Sequence, residues 1–68
     1  MKLITTPNIS DADGLYQKLI ALHLGRSEAD SMRVNARLIL LLVNHIGDTE
    51  AVEDAMSIAA DKVNREDV

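Results

Sequence analysis

The run Arg37-Leu38-Ile39-Leu40-Leu41-Leu42-Val43-Asn44-His45-Ile46-Gly47 limits what this 68-residue chain can fold into more than any other stretch. Ser27 to Ile46, wound at about 100° per residue, gathers Arg33, Arg37 and Asn44 into a wedge about 40° wide. Leu40 and Leu41 border the wedge on its two sides. The remaining arc, with Met32, Val34, Ala36, Leu38, Ile39, Leu42, Val43 and Ile46, is mostly apolar over about 250°, where a surface helix shows a little over 100°. Such a helix is expected to be central. Two further short helices would cover roughly two-thirds of it, which leaves an apolar ridge for another chain.

Size sharpens that expectation. A chain of this length buries about 60% of its unfolded surface, and its burial and ordering terms nearly cancel, at about 1.5 kcal/mol of ordering entropy per residue. With no cysteine and only two histidines, neither a disulfide nor a structural zinc site is expected to add support, and oligomerisation is the remaining common device. No cofactor is implied. Without Phe or Trp and with Tyr16 alone, the core must be aliphatic, a composition that favours helices. The fold class expected is therefore all-α: a small three-helix domain over residues 10–68 with a hydrophobic central second helix, preceded by an extended arm over residues 1–9.

Local signals set the order. Pro7 disfavours a helical Thr6, so the arm is extended, and its Leu3, Ile4 and Ile9 need apolar cover on the bundle or on a partner. Ser10 or Asp11 caps the first helix, with Asp13 in a capping-box-like position and Gly14 as a weak point in the first turn. Leu15, Leu19 and Leu22 form its stripe, widened by Tyr16, Ile20, His23 and Leu24, and Gly25 suits a left-handed cap. Ser27 caps the second helix with Asp30 three positions on, and Gly47 ends it. Asp48 or Thr49 opens a third helix, striped by Val52, Ala55, Met56, Ala59 and Val63 and backed by Glu53, Asp54, Ser57, Asp61 and Asn64. The short links imply antiparallel or steeply crossed neighbours.

Charge is uneven. Residues 1–47 carry five basic and four acidic side chains, whereas residues 48–68 carry seven acidic and two basic. An acidic C-terminal third repels phosphate, so neither nucleic acid nor an anionic membrane is the expected partner; a helix-turn-helix DNA reader around Gly47 would need a basic third helix instead. The longest uncharged run in the central helix is too short to span a bilayer, and the N-terminus lacks the apolar length of a signal peptide. A cytoplasmic location is expected.

Polar residues on apolar arcs are the candidate sites. His45 and His23 lie near helix C-termini, where a histidine that hydrogen-bonds a carbonyl or carboxylate asks for less than a general base or ligand does. Asn35 falls between Leu42 and Ile46 and needs a partner, whether a helix end, a subunit interface or a ligand; left unpaired in an apolar site it would cost about 1 to 3 kcal/mol. These three are the expected buried polar groups. Arg33 and Arg37 beside the apolar strip serve as a solvated face or a partner-facing one. No phosphate loop, Ser-His-Asp spacing or metal-ligand spacing is present, so no catalytic or metal residue is assigned.

The segments Pro7 to Tyr16, Leu19 to His23 and Asn35 to Asp48 together resemble a family of short bacterial helical proteins catalogued as a domain of unknown function. The run Asn35-Ala36-Arg37-Leu38 through Asn44-His45-Ile46-Gly47-Asp48 is its most distinctive part. The resemblance associates the chain with genes for flavin-dependent aromatic hydroxylases and implies an accessory subunit or partner, with no site residues to carry over.

The leading expectation is a non-catalytic interaction module, either a homodimer or an accessory subunit of a larger, oxidoreductase-type enzyme. Tyr16, Arg33, Arg37, Leu38, Leu40, Leu41 and Leu42 form its interface. Truncating Leu41 is expected to weaken association more than folding, and truncating Ile39 to do the reverse. The alternative, from a different class, is a small-ligand or metal-binding protein using His23, His45 and Asn35 in a cavity between the first two helices.

Overall fold

The computed structural model describes residues 2–66, with side chains over 2–61. It contains three helices, α1 (Ala12–His23), α2 (Glu28–Ile46) and α3 (Thr49–Glu66), and no strand among the described residues. The fold is all-α. Met1 of the arm and the side chains of Val63 and Asn64 on the third helix lie outside the described residues.

Each helix starts on a side-chain cap. The Gly14 N–H donates to Asp11 Oδ1 at 3.1 Å, the Asp30 N–H to Ser27 Oγ at 3.1 Å and the Ala51 N–H to Asp48 Oδ1 at 2.9 Å. Each bond satisfies one of the amides that a first turn leaves unpaired. At α1 the cap is Asp11, and no Ser10–Asp13 box forms. Gly14 is required by the same bond. A Cβ built there would stand 2.2 Å from Asp11 Oδ2, so any side chain would push the capping carboxylate aside. Gly14→Ala therefore gains about 1 kcal/mol of helix propensity and loses a cap worth about 1 kcal/mol. Its expected net effect on the urea midpoint is near zero, whereas in an Asp11→Ala background the same substitution stabilises by about 1 kcal/mol. An equal gain in both backgrounds would break the coupling.

The α1–α2 link corrects one expectation. Gly25 has φ of 75°, but the helix has already ended: Leu24 is extended at φ −63° and ψ 133°, and the Arg26 N–H donates to the His23 carbonyl at 3.3 Å. These are the angles of a type II turn, with glycine at its left-handed third position, and not of a helix cap. Arg26 Nε reaches back to the Leu22 carbonyl at 2.7 Å and satisfies part of the open end of α1. Gly47 does terminate α2 in the left-handed conformation, its N–H donating to the Val43 carbonyl.

Packing departs further from the expected bundle. Among the described residues no two helices pack along their lengths. Among the described residues the buried core is Ala51 alone, 4% exposed at the α2–α3 corner. α2 has no buried residue, so it is not the covered central helix; Ser31, Val34, Leu38 and Val43 are half-buried and the rest is open. The radius of gyration is 13.8 Å, against about 11 Å for a compact chain of this length. No described helix is long and apolar enough to cross a membrane.

Candidate interaction surface

The feature that emerges is a trough. The C-terminal half of α2 supplies Ile39, Leu42, Val43 and Ile46; α3 supplies Ala51, Val52, Ala55, Met56 and Ala59; and the arm closes one side with Lys2, Leu3, Ile4 and Asn8. Its volume is about 550 Å³. The spacing explains the lining. Ile39, Leu42, Val43 and Ile46 recur at the three- and four-residue intervals of one helix face, and Ala51, Ala55 and Ala59 do so on α3. Gly47 and Asp48 turn the chain between them, so both apolar faces open on one hollow. Only Lys2 and Asn8 bring polar side chains to its wall.

A second hollow of about 440 Å³ lies at the same corner, lined by Val43, Asn44, Gly47, Asp48, Thr49, Val52, Glu53 and Met56. It is the more polar of the two and is bounded by the turn that carries the Asp48 cap. Both hollows lie between α2 and α3, and the arm borders the first alone.

A protein-family model described as protein of unknown function (DUF2783) matches residues 3–61, which takes in the arm from Leu3, α1, α2 and the α2 and α3 walls of the trough. The chain belongs to this family. No curated protein and no solved structure matches it. The DUF2783 match spans every residue assigned to a site from the sequence, from Tyr16 to His45.

Those residues are distributed as follows. Leu40 and Leu41 are 68% and 69% exposed, on the two borders of the polar wedge. Leu42 lines the trough, Leu38 is half-buried and Tyr16 stands open on α1. Arg33 Nη1 pairs with Asp30 Oδ1 at 3.1 Å one turn back on the exposed face, and Arg37 is exposed. Asn35 and His45 correct the expectation of buried polar groups: both are exposed, because neither α1 nor α3 lies over them. His23 is half-buried, and its Nδ1 is enclosed without a hydrogen-bond partner. None of the three lines either hollow, and no group of three His, Cys, Asp or Glu among the described residues could hold a metal ion. Ile39 is also reassigned. It is 58% exposed within the trough, so truncating it removes apolar surface from the hollow and not from a packed core.

The sequence reading missed the trough itself. The α3 stripe already held Ala55 and Ala59, and Ala51, four residues before Ala55, adds a third small residue that lets another element approach closely. Their depth became visible only once the arm was placed beside them.

Proposed function

We propose that the chain is a non-catalytic helical interaction module that completes its core against a second copy of itself. One observation carries the reading: the chain exposes 6305 Å². A compact monomer of 7.4 kDa exposes roughly 4200 Å². The excess is therefore roughly 2000 Å² per chain, or roughly 4000 Å² for a pair, within the range of obligate homodimers and far above a crystal-type contact. Leu15, Leu19, Leu24, Ile39, Leu40, Leu41, Leu42 and Met56 are all exposed, and Ile39, Leu42 and Met56 line one apolar hollow, a kind of surface that a monomer rarely leaves to water.

Chemistry at the trough supports association over catalysis. Its wall offers apolar burial, and the polar groups it brings, Lys2 and Asn8, stand on the arm. The uneven charge supports a like partner. Among the described residues Lys18 and Arg37 in the first two helices, and Glu50, Glu53 and Asp54 on the third, make no ion pair, so two copies bring opposite charges to each other.

Light scattering on the purified protein across 1 to 100 µM, concentrations chosen to bracket common dimer affinities, should return twice the 7.4 kDa chain mass. A 7.4 kDa species with a sharp unfolding transition would overturn the reading, as would a chain that folds only when a different protein is added.

A further inference from the structure

The trough is a concave apolar surface, and α1 presents a convex apolar stripe. Leu15 and Leu19 on α1 are 42% and 41% exposed, and Tyr16 and Ile20 beside them are open as well. No α1 residue lines the trough. α1 joins α2 at Glu28, through the type II turn and the Ser27 cap, about 16 Å along the helix axis from Ile39, where the trough begins. We infer that the trough of one copy receives α1 of a second copy, and that the exchange is reciprocal about a two-fold axis. This rests on the self-association proposed above and names the element that fills the hollow.

Dimensions agree. The stripe from Leu15 to Leu22 is about 10 Å long, and the trough walls run about 10 Å along α2 from Ile39 to Ile46 and about 12 Å along α3 from Ala51 to Ala59. The alanine wall leaves room for the leucine knobs of an incoming helix, because interior packing tolerates few voids. Two troughs facing each other would instead enclose empty space. The rims match in sign: Lys18 flanks the α1 stripe, while Glu53 and Asp54 flank the trough face of α3, and none of the three has an ion-pair partner among the described residues. A two-fold exchange closes on itself, so it gives a dimer and no filament.

The chain has no cysteine, so single thiols can be introduced cleanly. Leu19→Cys and Ala55→Cys are placed at the centres of the stripe and of the wall, where their meeting does not depend on the direction of α1. Each variant is first checked for helicity by circular dichroism and for mass by light scattering. The two are then mixed, allowed to exchange subunits and oxidised mildly. The expected result is a cross-linked dimer in the mixture, with neither variant cross-linking alone, and a doubly linked dimer from the double variant. A second pair keeps the test open if the first folds poorly: Leu15→Cys mixed with Ala51→Cys or with Ala59→Cys should cross-link in one combination. Ala55→Cys cross-linking to itself would overturn the exchange in favour of trough against trough. A disulfide-linked monomer from the double variant would place α1 in its own trough and overturn it too. A dimer by light scattering with no cross-link in either pair sinks the exchange and leaves self-association standing, whereas a monomer by light scattering sinks both.

Discussion

Replacing Leu42 by aspartate is expected to raise the dissociation constant of the dimer by at least about a hundredfold and to strip most of the helicity at low micromolar concentration. In the single chain Leu42 is 52% exposed, so a carboxylate there would meet water and cost the isolated fold little beyond a helix-propensity difference of about half a kcal/mol. Leu42 lines the trough, and in the dimer proposed above that position would be covered by the partner. A buried carboxylate with no cation beside it must shed its hydration or take up a proton, and either course costs more than the 2.7 kcal/mol or so that a hundredfold represents. Helicity follows because the helices of one copy have little to pack on except the partner proposed above, and isolated helices of 12 to 19 residues are marginal in water. Sedimentation equilibrium and far-ultraviolet dichroism read the two effects together. Gln17→Asp, on the side of α1 away from the leucine stripe, controls for propensity and should leave the mass unchanged. A Leu42→Asp protein with the mass and melting point of the parent would mean that the trough is not covered.

The elements were legible because their signals are local. Ser27 with Asp30, Asp11, Asp48 and Gly47 each act through bonds spanning three or four residues, and those bonds form wherever the chain goes next. Gly25 shows the limit of such signals. A left-handed glycine serves a helix cap and the third position of a type II turn equally, and the choice fell to Leu24, whose extended backbone nothing in its side chain announces.

Burial was harder to read, for a geometric reason. A helical wheel keeps a residue's angle and discards its height. Asn35 shares its angle with Leu42 and Ile46 and by that measure belongs on the trough arc, yet it lies a full turn before Ile39, where the trough begins. His45 shares its angle with Val34 and Leu38 but stands near the end of α2, beyond those half-buried positions. Ile39 carries the opposite lesson. Its angle was read correctly as apolar, but whether an apolar arc faces a core, a hollow or water depends on the arm and α3, which no local pattern on α2 encodes.

Unfolding should depend on concentration. If the apolar surface is covered only in the pair, the folded state is a dimer and the unfolded state is two chains, so dilution favours unfolding by mass action. The size of the effect follows from the enthalpy. At about 0.7 kcal/mol per residue, a pair of 68-residue chains unfolds with about 95 kcal/mol near 60 °C. The melting temperature then falls by about 5 °C for each tenfold dilution, or about 10 °C between 100 and 1 µM. A chain that completed its core alone would melt at one temperature throughout that range. Partial coupling has its own signature: if α2 and α3 held together without the partner, dichroism would show a first, concentration-dependent loss of the α1 contribution, followed by a second, concentration-independent step. Ala51, the one buried residue among the described residues, argues against that second step. One alanine at a corner removes too little apolar surface, at about 25 cal/mol per Å², to offset about 1.5 kcal/mol of ordering entropy for each residue of two helices. A single transition that moves with concentration is therefore expected, by calorimetry as well as by dichroism.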